Sequence, residues 1–109
     1  MPNVNAKNSK STTPKRLTPV AFQQAAECLK ILAHPHRLQI VQMLLEREYT
    51  VGELAEECGI AHHMASEHLR LMQRCGFLDH TKDGQRRYYR VIEPQLANII
   101  HCVEQRFGT

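Results

Sequence analysis

No stretch of this 109-residue chain approaches the roughly 18–20 consecutive apolar residues that a membrane span requires. The opening MPNVNAKNSKSTTPKR lacks the apolar stretch of a secretory signal. Both absences point to a cytoplasmic protein, whose cysteines would be reduced thiols. The four cysteines, Cys28, Cys58, Cys75 and Cys102, form no CxxC pair, which excludes a zinc ribbon or a thioredoxin-like motif. There is also no nucleophile–base pair, glycine-rich phosphate loop or paired-carboxylate motif, and a small helical domain offers little pocket volume. An enzyme is not expected, and no cofactor is implied.

What is present is one domain's worth of sequence, enough for a modest core of the kind often stabilised by dimerisation. The formal net charge of +3 is unevenly distributed. Residues 1–16 carry Lys7, Lys10, Lys15 and Arg16 against no acid, and residues 61–91 carry a further net +3, whereas 17–60 and 92–109 are both net acidic. Basic charge gathered on a tail and one substructure is the footprint of a polyanion-binding face rather than of an evenly solvated surface.

Residues 1–17 are polar and read as a disordered basic tail, leaving 18–107 as the folded domain. Thr18-Pro19 is an N-cap followed by proline at the first helical position. Phe22, Ala25, Leu29 and Leu32 then recur at helical spacing. His34-Pro35 breaks that helix, and His34 and His36 are expected to cap the helices around them. A second helix carries Leu38, Val41, Met43, Leu44 and Leu45, with residues 46–49 as a connector. Thr50-Val-Gly-Glu53 has capping-box spacing and opens a short third helix ending at Gly59. A fourth helix spans about 62–75 and ends at Gly76, so the pair forms a helix-turn-helix. Residues 77–82 and 85–91 are extended and joined by Asp83-Gly84, a hairpin signal. Glu93-Pro94 opens a last helix, whose apolar stripe of Leu96, Ile99, Ile100 and Val103 suits a dimer interface or its own domain core.

Several ordered segments then resemble one family. Leu32-Ala-His-Pro-His-Arg-Leu38 is similar to the "LADPTRL" segment of ArsR-type winged-helix repressors. Residues 50–55, TVGELA, resemble the start of their third helix. Residues 61–78, AHHMASEHLRLMQRCGFL, resemble their "SQSAVSHHLRVLRDAGLV" recognition helix, with Ser66, His68, Leu69, Arg70 and Gly76 matching in place. The basic hairpin at 82–89 fits their wing. The resemblance covers about 19–107 and implies a mainly α fold with a small β-hairpin, a winged helix-turn-helix dimeric through its first and last helices. It further implies a homodimeric transcriptional repressor on an inverted-repeat operator, released by an effector.

On the fourth helix Met64, His68, Leu69, Leu71 and Met72 are expected to pack on the domain. His62, His63, Ser66, Glu67 and Arg70 are left for DNA, since recognition helices read bases chiefly through their N-terminal residues. A solvated helix start is the plainer reading of His62-His63; a shared metal is disfavoured because adjacent helical residues point about 100° apart. His62 and His63 stand where the family pattern has glutamine and serine, and Glu67 where it has histidine. A glutamate beside phosphates is repulsive unless it accepts from a cytosine amino group or pairs with Arg70 or Arg74. In the wing, Lys82, Gln85, Arg86 and Arg87 are placed for phosphates or the minor groove. The same surface would also serve a protein-interaction module, but the basic wing and tail favour double-stranded DNA.

The family's thiolate and carboxylate–imidazole metal sites are not reproduced. Thr50 and Gly52 align with one site's cysteines, and Gln95 and Arg106 fall where the other needs histidines. No metal site is therefore expected from the resemblance. Cys28 and Cys102, on the helices expected to pair the subunits, are the candidate thiol sensor for a redox- or metal-responsive repressor. Buried packing is the plainer reading for both, and it is the expectation for Cys58 and Cys75.

Overall fold

A computed structural model describes residues 15–109. Most of the expected basic tail, including Lys7 and Lys10, lies outside the described residues; Lys15 to Leu17 form an exposed, non-helical lead-in. Helix α1 (Pro19–Leu32) starts where the Thr18 hydroxyl accepts the Ala21 N–H at 3.1 Å. The α1–α2 corner is sharp: His34, extended, caps α2 (Pro35–Glu46), its ring Nδ1 accepting the His36 N–H at 3.1 Å. His34 is thus the cap expected, whereas the His36 ring caps nothing.

A two-residue strand, β1 (Tyr49–Thr50), leads into α3 (Val51–Cys58). The capping box is formed: the Thr50 hydroxyl accepts from Glu53 N–H, and the Glu53 carboxylate accepts from Thr50 N–H. That hydrogen bond from the Thr50 amide holds the Glu53 carboxyl below its ordinary pKa range. Gly59 ends α3 in the left-handed region at φ 68°, where a Cβ would be strained. Helix α4 (His62–Arg74) follows, then β2 (Leu78–Asp83), β3 (Arg86–Val91) and α5 (Leu96–Phe107).

The sheet is antiparallel in the order β1-β3-β2, with Thr50 opposite Tyr88, Lys82 opposite Arg87 and Asp83 opposite Arg86. Three strands replace the expected two because Tyr49, read as connector, pairs along the free edge of β3. Two residues cannot display the alternation by which a strand is recognised. The wing turn is Gly84-Gln85 rather than Asp83-Gly84, since Asp83 remains paired; Gly84 supplies the positive φ, 65°, that the tight reversal demands. The last helix begins at Leu96, later than the expected Glu93-Pro94. Those residues form a turn in which the Glu93 carboxylate accepts the Gln95 N–H at 3.0 Å.

The core joins Ile40 and Val41 of α2, Leu54 of α3, Leu69 and Met72 of α4, Leu78 and Tyr89 of the wing, and Leu96 of α5, each 1 % exposed or less. A truncation here, such as Leu69→Ala, costs about 2–5 kcal/mol. Helix α1 is different. Leu32 is its one buried residue, while Val20, Phe22 and Leu29 are all more than half exposed. Phe107, at the end of α5, is 75 % exposed. The α5 stripe is divided: Leu96 and Ile100 enter the core of their own domain, and Ile99 and Val103 are half-buried. An isolated helix as short as α1 is marginal in water, so its uncovered apolar face requires a partner surface.

Candidate nucleic-acid interface

Helix α4 packs through Ala65, His68, Leu69 and Met72, the helical spacing of one buried stripe. Met64, expected in that stripe, is instead 43 % exposed. It lies one residue ahead of Ala65, and the stripe turns away from it. The opposite side presents His62, His63, Glu67 and Arg70 to solvent, with Ser66 half-buried at the margin. No side chain caps α4: its N-cap is Ala61, which leaves the first amides and the positive end of the helix dipole open to an anion.

The wing brings its cations to the same side. Arg86 and Arg87 share a cleft of about 320 Å³ with His62 at the head of α4 and with Thr50 and Gly52 at the head of α3. Arg70, Arg74 and Arg87 line a second cleft of about 390 Å³ with Gln73 and His80. Arg74, named from the sequence only as a possible partner of Glu67, is brought beside Arg87 by the fold. Lys82 stands directly across the ladder from Arg87, and like charges so placed repel by about 0.2–1 kcal/mol. A phosphate between them converts that repulsion into attraction.

Ion pairing separates the basic residues into two groups. Arg70 pairs with Glu67 at 3.6 Å and Arg90 with Asp79 at 3.5 Å. The Glu67–Arg70 pair explains how the recognition face tolerates a glutamate. Both side chains are about half exposed or more, and such pairs contribute at most about 1 kcal/mol, so a nucleotide can take Arg70 over. Lys82, Arg86 and Arg87 form no ion pair among the described residues.

Beneath the recognition face lies a polar cluster that the sequence reading treated as packing and caps. His68 is buried on α4, and its Nδ1 accepts the Arg37 Nε–H at 3.0 Å, while Arg37 Nη1 donates to the Ile31 carbonyl at 2.8 Å. Arg37 therefore braces α4 against the end of α1. Burial, then the Arg37 guanidinium, holds the His68 imidazole below its ordinary pKa range.

Two of the four thiols meet within the chain. Cys102 is exposed on α5, and the thiol that meets Cys28 within the chain is Cys75, not Cys102. Burial, then the neighbouring Cys28, pushes Cys75 up to about 11, and burial likewise raises Cys58. Both behave as packed thiols, as their helix-end positions suggested.

Comparison with known proteins agrees with this geometry. Residues 34–80 match the family model described as bacterial regulatory protein, arsR family. The chain is 31% identical over 86 residues to the biofilm growth-associated repressor of Xylella fastidiosa (strain Temecula1), covering 79% of this chain and 75% of that protein. Among solved structures it resembles HlyU from Vibrio cholerae N16961, with a TM-score of 0.76 and 27% identity over 84% of this chain and all of that one. It also resembles the homodimeric winged helix-turn-helix DNA-binding domain Mb0332 from Mycobacterium bovis, with a TM-score of 0.70 and 29% identity over 80% of this chain and 81% of that one.

Proposed function

The chain belongs to the ArsR family of bacterial regulatory proteins, DNA-binding winged-helix transcription regulators, and from that premise we propose a specific mode of action. It is a cytoplasmic homodimeric repressor that reads an inverted-repeat operator and blocks transcription by occupying it. The supporting observation is the convergence of an uncapped α4 N-terminus with unpaired wing cations around one pair of clefts. In this reading His62, His63, Ser66 and Arg70 address base edges in the major groove. Lys82, Gln85, Arg86 and Arg87 hold the backbone or the adjacent minor groove. Glu67 releases Arg70 to DNA or accepts from a cytosine amino group.

The dimer follows from α1. Its exposed Phe22 and Leu29, seven residues apart and so on one side of the helix, supply apolar surface that a second copy covers. The mycobacterial domain it resembles is homodimeric, and two-fold pairing presents two copies of α4 to two half-sites.

The test uses duplexes from the DNA flanking the chain's own gene, titrated by fluorescence anisotropy against shuffled duplexes of equal length. Two chains per duplex, tighter binding to the flanking sequence and reduced transcription from it in vitro are expected. Equal, salt-insensitive binding to both duplexes, or one chain per duplex, contradicts the reading.

A further inference from the structure

The cluster beneath α4 holds more than a brace. His34, His36 and His68 each offer a ring nitrogen, and the three nitrogens lie within 4.8 Å of one another. No other such group of three ligating side chains occurs among the described residues. The rings are tilted rather than stacked, with the centroids of His34 and His68 4.6 Å apart and those of His36 and His68 5.9 Å apart. His68 is 5 % exposed, and its Nε2 is buried with no hydrogen-bond partner. A neutral imidazole has one N–H and one lone pair. Because the Nδ1 lone pair of His68 is used by Arg37, the proton sits on Nε2, a stranded donor that costs about 1–3 kcal/mol.

We infer that His34, His36 and His68 form a three-imidazole site for a divalent cation of the zinc or cobalt class, occupied in exchange for the Arg37–His68 hydrogen bond. Three imidazoles without a carboxylate suit zinc, cobalt or nickel and not calcium or magnesium. Zinc–nitrogen bonds of about 2.0–2.1 Å set tetrahedral ligand nitrogens about 3.4 Å apart, so ring rotations must close gaps of about 1.4 Å at most. Solvent or an exogenous ligand completes the shell.

The exchange with Arg37 follows from proton bookkeeping and holds whichever nitrogen of His68 binds. Ligation through Nδ1 displaces the Arg37 N–H from the lone pair it uses. Ligation through Nε2 moves the ring proton to Nδ1, where it faces the Arg37 N–H donor for donor. The same alternatives apply to His34, whose Nδ1 accepts the His36 amide, so the α2 cap opens on binding. Both routes also place a cation beside a guanidinium. Arg37 is therefore a built-in competitor, and its removal strengthens binding. His34 and His36 stand where the family segment LADPTRL has aspartate and threonine.

The experiment is a titration of the untagged full-length protein with Co²⁺, read by d–d absorption, and with Zn²⁺ against a chromophoric chelator. His36→Gln is the informative variant, because the His36 ring makes no hydrogen bond among the described residues and both the cap and the brace survive its loss. Expected are one site per chain, at least tenfold weaker in His36→Gln and about tenfold tighter in Arg37→Gln, the scale on which outer-shell partners act. Zinc should raise the melting temperature of wild type and not of His36→Gln, whose metal-free melting should match wild type. His62→Gln/His63→Gln and Cys102→Ser should bind as wild type does. No binding, undiminished binding by His36→Gln, or loss through His62, His63 or Cys102 overturns the assignment.

Discussion

Replacing Arg86 with alanine removes one exposed wing cation that has no ion-pair partner among the described residues. A homodimer carries the residue twice, so two phosphate contacts are lost per complex. Each neutralised phosphate contributes about 0.9 to the slope of log affinity against log salt, and the variant's slope should be shallower by about 1.8. If the contacts are purely ionic and vanish near 1 M salt, the deficit is about 200-fold at 50 mM and about 20-fold at 200 mM. The stability change should stay within about 0.5 kcal/mol, because the side chain is exposed on the surface. Anisotropy titrations of specific and shuffled duplexes across that salt range measure both slopes. Arg90→Ala serves as the comparison, since Asp79 already neutralises Arg90 at 3.5 Å and the slope should change far less. A deficit that is constant with salt, or confined to the specific duplex, refutes the assignment of Arg86 to phosphate.

The remaining residues divide the work differently. His63→Ala and Ser66→Ala should each narrow the preference for specific over shuffled DNA by about 1–3 kcal/mol, leaving shuffled binding nearly unchanged; a uniform loss would contradict base reading. Phe22→Asp puts a charge into the uncovered α1 face and should yield monomers with reduced helicity in sedimentation and circular dichroism; a stable dimer would place the interface elsewhere. Thr50→Ala removes half of the capping box and should cost about 1 kcal/mol by denaturant unfolding. Cys75, its thiol pushed up to about 11, should stay protonated and resist iodoacetamide at pH 8 while exposed Cys102 is alkylated, which peptide mass spectrometry resolves.

The sequence was legible wherever one residue carries a local rule. Thr18-Pro19, the Thr50/Glu53 box and the glycines at 59 and 76 marked helix ends that the fold reproduces within a residue or so. Glu93-Pro94 misled because a carboxylate accepting a nearby amide resembles an N-cap while the backbone is still turning. Tyr49–Thr50 was invisible as a strand because its pairing depends on a partner nearly forty residues away. The wing and α4 cations could be named from charge alone, but their division into paired and unpaired required coordinates. The His34–His36–His68 cluster was hidden by its own spacing. Two of its members are local and were read as caps, and the third lies on α4 behind a resemblance that made it seem packing. Arg37, which ties α1, α2 and α4 together, looked like a conventional member of the LAHPHRL segment.

The central claim, a two-fold dimer reading DNA through α4, is tested most directly by selecting bound duplexes from a random-sequence library with the full-length protein. The account predicts enrichment of an inverted repeat whose half-site centres lie one helical turn or a multiple apart, about 10–10.5 base pairs per turn. Enrichment of a single unsymmetrical motif, or of no sequence at all, would contradict it.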